Sequence, residues 1–305
     1  MSPDKEEFTL ALPASSANLG PAFDAAAIAW NRLLRVSARP ADDFAVEAAG
    51  RDAAACGQLH EHLILKVYGE VIRRSGMVAR PLSLRLNNEI PLGKGCGSSA
   101  AARLAGVALA VHFGRLRWPA QQVLEEAARF EGHPDNVAAC WWGGLVVAQT
   151  QGSGVRWLQA SGAGRWPLLM VVPQEALATE SARAVLPDTY PRSDAVANVQ
   201  NAMLLLGAWQ QGRGDLLAAA MRDHLHQPYR ARLCPLLERL APLAGNHGIL
   251  GCCLSGAGPA VLLVADDAAA ARAAVAMTLA RARQEAEILE VAAVATGPGM
   301  SWSEE

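Results

Sequence analysis

The sequence predicts an α+β fold of two domains, because its predicted strands and helices are mixed along the chain without strict alternation. The chain has 305 residues, and a domain usually contains about 150. Alternating or apolar stretches at 8–13, 33–38, 44–48 and 82–86 predict strands, and the small residues at 14–20 predict a turn. Apolar residues at helical spacing within 60–74, and an Ala-rich segment from 98 to 112, predict helices.

The second half continues the same mixture of elements. A helix is expected at 119–130, broken by residues 131–136, and a strand at 145–150. Further strands are expected at 168–172, on both sides of 256–258 and at 288–294, with helices at 194–211, 215–222, 235–243 and from 267. The Gly/Ser-rich stretches at 151–154 and 160–165 are the candidate boundaries. We place the boundary at 160, between an N-terminal domain of residues 1–160 and a C-terminal domain of residues 161–305.

Composition restricts the classes of function. Lys and Arg number 27 against 29 Asp and Glu, a formal net charge of −2, whereas a nucleic-acid groove or a polybasic membrane surface needs clustered cations. The acidic N-terminus does not resemble a signal peptide. The uncharged stretch 248–265 contains Pro259 and four glycines, which favour a strand–turn–strand unit over a membrane span. Six cysteines without a CxxC pair predict reduced thiols and a cytoplasmic location.

A glycine-rich loop gives the strongest local signal for chemistry. Gly93, Gly95 and Gly97 alternate with other residues before Ser98 and Ser99, between a predicted strand and a predicted helix. Glycines let backbone N–H groups approach an anion, and the positive end of the helix dipole points to the same place. The spacing fits neither the Walker phosphate loop nor the dinucleotide fingerprint. The loop therefore predicts phosphate binding, and the alternative is a flexible turn with a serine N-cap.

Four segments resemble motifs of the GHMP kinase superfamily, in the family's order. Segment 91–101 (PLGKGCGSSAA) looks like its nucleotide loop, and segment 254–259 (LSGAGP) is similar to its third motif. Segments 13–24 (PASSANLGPAFD) and 131–138 (EGHPDNVA) resemble signatures of the homoserine kinase branch.

The resemblance implies a two-domain GHMP kinase fold, with an N-terminal domain like ribosomal protein S5 domain 2 and a ferredoxin-like C-terminal domain. It implies phosphorylation of L-homoserine by ATP to O-phospho-L-homoserine, a step of threonine biosynthesis, with ATP and Mg²⁺ as cofactors and a homodimer as the assembly. Other functions stay open: a GHMP kinase acting on another small hydroxyl substrate such as L-threonine or mevalonate, or a non-catalytic ligand sensor. A nicotinamide-dependent reductase is disfavoured by the failed dinucleotide fingerprint.

The resemblance places ATP on the glycine loop. Mg²⁺ would be held by the hydroxyl of Ser98, or of Ser99, and by the Glu131 carboxylate, because a hard ion prefers oxygen ligands. Glu125 and Glu126, on the same predicted helix, are alternatives to Glu131. The expected cofactor-binding residues are Pro91, Leu92, Gly93, Lys94, Gly95, Cys96, Gly97, Ser98, Ser99, Ala100 and Ala101.

The same resemblance assigns residues to the substrate. The expected substrate-binding residues are Asn18, Asp24, His133, Asn136, Arg183 and Arg230. Arg183 and Arg230 are expected to grip the substrate carboxylate, since a guanidinium fork suits that group better than an ammonium does. Arg232 competes with Arg230 for this role.

Three residues are assigned to the catalytic step: Asp24, Asp135 and Thr179. We expect positioning and electrostatics to dominate phosphoryl transfer. Asp24 would orient the hydroxyl, and Thr179 would lie near the γ-phosphate. Asp135 falls where some superfamily relatives have a catalytic base, but we expect no strong general base here.

The departures from the family pattern remove no charged group. Ala22 stands where Gly is usual, and Cys96 stands where Leu is common. The pair Trp141 and Trp142 is bulkier than the usual residues, and we expect it to belong to the core rather than to a dimer surface.

Overall fold

The computed structural model describes residues 7–302, and its first half forms a six-stranded sheet. The strands are β1 (Phe8–Asn18), β2 (Ala22–Pro40), β3 (Ala45–Gly50), β4 (Leu82–Asn88), β5 (Leu145–Gln151) and β6 (Gly154–Ala160). Their order is β3-β4-β2-β5-β6, and β1 pairs with β2. Only β3 and β4 run parallel among these pairs.

The long strand β2 organises this sheet because it pairs with three others. β1 runs antiparallel to it from Phe8↔Ala38 to Asn18↔Ala22, β5 pairs with residues 26–28 and β4 with residues 34–40. The turn expected at 14–20 is therefore wrong over most of its length, because β1 continues to Asn18. Small residues favour a turn locally, but here strand pairing overrides that preference.

Helices cover this sheet and meet each other closely. They are α1 (Ala53–Cys56), α2 (Leu63–Arg74), α3 (Ser98–Phe113), α4 (Ala120–Glu131) and α5 (Asp135–Trp142). The helices expected at 60–74, 98–112 and 119–130 are confirmed. In α3 a Cβ on Gly106 would lie 2.7 Å from the Ile64 carbonyl oxygen, so the glycine permits the close approach of α2.

Helix α5 was not expected, since its first residues belong to a segment typical of a helix break. Every residue of α5 is buried, and Trp141 and Trp142 lie in the main hydrophobic core. The prediction that this tryptophan pair belongs to the core is confirmed. The helix owes its stability to burial on all sides rather than to an amphipathic pattern.

The second sheet consists of β7 (Leu168–Pro173), β8 (Ile249–Leu254), β9 (Val261–Ala265) and β10 (Ala286–Val291). Five helices lie between β7 and β8 in sequence: α6 (Thr179–Ala184), α7 (Arg192–Gln211), α8 (Leu217–Ala220), α9 (Gln227–Arg230) and α10 (Pro235–Leu240). α11 (Ala268–Ala282) lies between β9 and β10. The antiparallel order β10-β7-β9-β8 places the fourth strand beside the first and the third beside the second. This is the expected ferredoxin-like arrangement.

The stretch at 151–154 is the turn of the β5–β6 hairpin, so only the later candidate boundary lies between the two sheets. The boundary at 160 stays a prediction. Residues after β10 return to the first sheet: Trp30 bridges Ala293, and the Gly297 N–H donates to the Trp142 carbonyl. Within residues 7–302 no helix combines the length and apolar character needed to cross a membrane.

Candidate active site

A cavity of about 480 Å³ is lined by residues from all four motif segments. The turn between β1 and β2, the glycine loop before α3 and the N-terminus of α5 contribute from the first half of the chain. Helix α6, Arg230 and the β8–β9 turn contribute from the second half. The fold therefore brings segments up to about 240 positions apart in sequence to one concave site, as ligand sites require.

The glycine loop is fixed through its carbonyl oxygens. The Cys96 carbonyl accepts from the Ser15 N–H (3.2 Å), and the Gly95 carbonyl accepts from the Ser255 hydroxyl (2.7 Å). A Cβ on Gly95 would lie 2.0 Å from the Ser255 carbonyl oxygen, and one on Gly97 2.1 Å from the Ser15 hydroxyl oxygen. The first N–H groups of α3 have no carbonyl acceptor within the helix, and its N-cap residue Gly97 supplies no side-chain cap. The loop thus offers several N–H donors at the start of α3, which suits an anion.

An apolar portion of the cavity adjoins the loop. Leu34, Leu63, Ile64 and Leu86 line it, together with polar residues of the segment after α1 such as Gln58. Such a surface can bury a planar ring while the loop holds charged groups.

Asp24 and Arg183 form an ion pair within the cavity. Arg183 Nη2 and Nη1 donate to the two Asp24 carboxylate oxygens at 2.8 and 3.0 Å. Asp24 has a left-handed φ of 53°, and Asn18 holds that conformation by accepting the Asp24 N–H at 3.0 Å. Asn18 also donates to the Gly256 carbonyl at 2.8 Å, which links this turn to the third motif. The hydrogen bond with Asp24 raises the pKa of Arg183, so the guanidinium stays charged.

The N-terminus of α5 presents a buried carboxylate. Asp135 Oδ1 lies 2.6 Å from His133 Nδ1 and accepts the Asn136 N–H at 2.7 Å. Asp135 is fully buried, and its Oδ2 has no hydrogen-bond partner among the described residues. Burial lowers the pKa of His133, but the hydrogen bond with Asp135 and the charges of Glu131 and Asp24 raise it above its ordinary value overall. His133 therefore carries positive charge into a higher pH range than a free imidazole does.

Arg230 is almost fully buried and fixes helix α6. Its Nε donates to the Ala182 carbonyl at 2.9 Å, and its Nη1 lies 3.0 Å from His226 Nδ1. His226 Nε2 lies 2.8 Å from the Gly20 carbonyl oxygen, which assigns the proton to Nε2 and leaves Nδ1 to accept from Arg230. Burial lowers the pKa of His226, in agreement with this neutral form. The Phe23 ring lines the cavity and stacks on the buried His226 ring, with centroids 5.1 Å apart, and the sequence analysis assigned a role to neither residue.

Arg103 connects two of the expected metal ligands. Its Nη1 contacts both the Ser99 hydroxyl and the Glu131 carboxylate. Both partners supply oxygen atoms, which a hard ion such as Mg²⁺ prefers, so the donor set fits Mg²⁺. Ser98 lines the same cavity. Arg103 lies just beyond the loop motif, and the sequence analysis missed it.

A second group of possible metal ligands is formed by Asp24, His133 and Asp135, whose ligand atoms lie within 4.8 Å of one another. Asp24 is already paired with Arg183, and Asp135 Oδ1 with His133. An imidazole nitrogen also suits Mg²⁺ less well than an oxygen does. This group therefore fits a magnesium ion less well than Ser99 and Glu131.

The structure brings most of the expected site residues to the cavity. All the expected substrate and catalytic residues line it, as do Glu131 and the loop residues Leu92, Gly93, Gly95, Cys96, Gly97, Ser98 and Ser99. Four expected cofactor-binding residues, Pro91, Lys94, Ala100 and Ala101, lie outside its lining. The two alanines are buried in α3, and the Lys94 ammonium contacts the Gln174 carbonyl. The roles assigned to the individual residues stay predictions.

Comparison with known families identifies the class of protein. Residues 62–144 match the family model "GHMP kinases N terminal domain", and residues 205–281 match "GHMP kinases C terminal". Together the two matches cover more than half of the chain. The chain is therefore a GHMP kinase.

Curated relatives narrow this class. The chain is 45% identical over 264 residues to the homoserine kinase of Solibacter usitatus, covering 86% of each protein. It is 36% identical to the homoserine kinase of a Synechocystis species, over 85% of this chain and 86% of the relative. The chain therefore belongs to the homoserine kinase family. The fold agrees with the crystal structure of homoserine kinase from Cytophaga hutchinsonii, at a TM-score of 0.82 and 24% identity over 98% of each chain.

Proposed function

We propose that this chain transfers the γ-phosphate of ATP to the side-chain hydroxyl of L-homoserine. The product would be O-phospho-L-homoserine, which feeds threonine biosynthesis. The ion pair of Asp24 and Arg183, facing the same cavity as the glycine loop, carries this proposal. A zwitterionic amino acid can replace this pair group for group, because its ammonium can bind Asp24 and its carboxylate can bind Arg183. Every charge then keeps a partner, which limits the cost of removing these groups from water.

The surrounding residues support the orientation of such a substrate. Arg230 holds the carbonyl end of Ala182 on α6, the helix that carries both Arg183 and Thr179. Its burial favours a positioning role over direct contact with the substrate, so the expected carboxylate contact of Arg230 stays a prediction. The ordered N-terminus of α5 would place Asn136 and His133 beside the substrate.

The transfer step would depend on position and charge. The N–H groups of the glycine loop would bind phosphate oxygens, and the apolar portion beside the loop would take the adenine ring. Mg²⁺, held by Glu131 with the hydroxyl of Ser98 or Ser99, would neutralise part of the phosphate charge. Asp24 would fix the amino group and so direct the hydroxyl toward the phosphate. Asp135 Oδ2 is available to accept a hydrogen bond from that hydroxyl.

An assay of ADP release tests the proposal. Purified protein would be given ATP and Mg²⁺ with L-homoserine, L-threonine, L-serine or mevalonate in turn. We expect turnover with L-homoserine at a much higher kcat/KM than with the others, and a phosphate monoester of homoserine in the ³¹P NMR spectrum. Turnover of another alcohol without turnover of homoserine would contradict the proposal. Glu180→Gln provides a control, because Glu180 is an exposed neighbour of Thr179 on α6.

We also propose that the chain forms a homodimer and works in the cytoplasm. Val196, Val199 and Met203 form an exposed apolar stripe on α7, with exposures of 50%, 64% and 68%, which is suited to association. The six cysteines are free, as a reducing compartment favours. Sedimentation analysis of the native chain and of Met203→Glu tests the assembly: a native dimer that dissociates in the variant is expected, and a monomeric native chain would contradict it.

A further inference from the structure

Arg103 occupies the position at which a metal ion is expected. It lies on α3 one turn after Ser99, and its guanidinium reaches the carboxylate of Glu131, the last residue of α4. The single nitrogen Nη1 contacts both oxygen atoms. The cation thus connects the ends of two helices at the place where α3 meets the glycine loop.

Glu131 needs a positive partner because its side chain is only 9% exposed. A carboxylate removed from water is costly unless a charge or several hydrogen bonds compensate it. Arg103, whose side chain is 23% exposed, supplies that charge at Oε2. On the other side, His133 Nε2 lies 3.9 Å from Glu131 Oε1, too far for a strong hydrogen bond. Arg103 is therefore the main compensating cation of Glu131.

A second ion pair on the same helix shows what an ordinary pair looks like. Arg129 pairs with Glu126 three residues earlier on α4 at 2.6 Å, and the Arg129 side chain is 43% exposed. That pair is local and borders solvent. Arg103 instead contacts Glu131, which is 28 positions away in sequence, and also Ser99. Both of these residues line the cavity.

We infer that Arg103 is a resident cation at the magnesium position, and that it competes with the divalent ion for Glu131. The inference rests on the proposed magnesium position at Glu131. While Arg103 holds Glu131, the carboxylate is neutralised and its oxygen Oε2 is occupied. A divalent ion that binds there has to displace the guanidinium. Two cations that share one carboxylate weaken each other's binding, and linkage requires the effect to be reciprocal.

Binding of Mn²⁺ alone to the nucleotide-free protein tests the inference. Free Mn²⁺ is counted by its electron paramagnetic resonance signal in titrations of the native chain, Arg103→Met and Arg103→Gln. We expect either variant to bind Mn²⁺ on the order of tenfold more tightly than the native chain, because the coupling between two sites that share a charge is typically in this range. Arg129→Met is the matched control, since it removes an arginine from an ion pair near the same helix end, and its Mn²⁺ affinity should be unchanged.

The double variant Arg103→Gln/Glu131→Gln identifies the carboxylate that responds. We expect the gain in Mn²⁺ affinity to disappear in it. Unchanged affinity in both single variants, with native-like circular dichroism, would overturn the inference, as would a gain that survives the loss of the Glu131 charge. A variant that does not fold is replaced by the other one, because Met and Gln differ in polarity but both remove the charge.

A separate measurement distinguishes two negative results, one in which Arg103 does not compete with the metal and one in which Glu131 does not bind the metal. Mn²⁺ is titrated into the native chain and Glu131→Gln in the presence of ADP. Weaker binding in Glu131→Gln combined with no effect of the Arg103 substitutions would overturn the inference alone. Equal binding in the native chain and Glu131→Gln would overturn the metal position and the inference with it.

Discussion

Replacement of Arg183 by Met tests whether the ammonium and carboxylate of an amino acid replace the ion pair between Asp24 and Arg183 in the cavity. The substitution removes the guanidinium but leaves Asp24, Asn18 and the glycine loop in place. Asp24 would still attract the ammonium of homoserine, whereas the substrate carboxylate would lose its partner. We therefore expect a loss that depends on the carboxylate of the substrate.

The size of the effect follows from the geometry of the pair. Arg183 makes two hydrogen bonds to Asp24, at 2.8 and 3.0 Å, and could make two equivalent bonds to a substrate carboxylate. A hydrogen bond to a charged group is worth about 1.5–3 kcal/mol. The Arg183 side chain is 39% exposed, so we take the lower value for each bond, about 3 kcal/mol in total. Since about 1.4 kcal/mol is a factor of ten, kcat/KM for homoserine should fall roughly 100-fold.

The assay compares homoserine with 3-aminopropan-1-ol, which lacks only the carboxylate. The native chain should prefer homoserine strongly, and Arg183→Met should lose most of that preference because its activity on the amino alcohol hardly changes. Binding of ADP, measured by calorimetry, should stay within about threefold in both proteins, since Arg183 Nη1 and Nη2 donate to Asp24, which is not part of the loop. An equal loss of kcat/KM on both substrates would refute the idea that the substrate carboxylate binds Arg183, because the effect of the guanidinium would then not depend on that carboxylate.

Three further predictions concern other parts of the site. In Gly95→Ala the new Cβ would meet the Ser255 carbonyl oxygen at 2.0 Å, at a φ of +77°, so ADP affinity should fall at least about tenfold; unchanged affinity by calorimetry would contradict this. The raised pKa of His133 stabilises the fold below about pH 6.5, and this contribution is lost as pH rises through the folded pKa. The Tm difference between the native chain and His133→Gln should therefore be larger at about pH 6 than at about pH 9, and a difference independent of pH would refute it. Asp135→Asn should lower kcat by less than about 100-fold if the carboxylate only positions the hydroxyl; a loss of several orders of magnitude with unchanged homoserine affinity would indicate a general base.

Local sequence signals were sufficient for the glycine loop and the helices that pack behind it. Gly93, Gly95 and Gly97 have positive φ angles, which glycine adopts more readily than other residues, so the residue type alone indicates this backbone conformation. The apolar spacing of residues 63–72 likewise predicts α2, because one face of that helix is buried in the core. Such features depend on a few adjacent residues, so they can be predicted without the tertiary structure.

Other features depend on contacts that the sequence does not reveal. Helix α5 begins at a Pro-Asp-Asn segment that locally favours a turn, and it is stable because all its residues are buried. β1 continues through small residues because β2 pairs with it as far as Asn18. No role was predicted for Arg103 or His226, and their partners Glu131 and Gly20 lie 28 and 206 positions away. Only the tertiary structure brings these groups together.

Net charge gives no indication of a nucleotide because the site separates its charges locally. The chain carries a formal charge of −2, yet the cavity contains buried or half-buried arginines at 183 and 230, and Arg103 beside it, each held by specific partners. Asp24 and Glu131 neutralise two of these guanidinium groups. The phosphates would instead meet backbone N–H groups, whose partial charges do not contribute to a residue count.

Zwitterion binding at Asp24 and metal binding at Glu131 would then be two instances of one physical process, in which an incoming ligand charge replaces an arginine on a carboxylate. The two cases differ in one respect that can be measured. A zwitterion supplies a new anion to Arg183, whereas a lone divalent ion leaves Arg103 without its carboxylate partner. Homoserine binding should therefore be much less sensitive to loss of the Arg103 charge than to loss of the Arg183 charge.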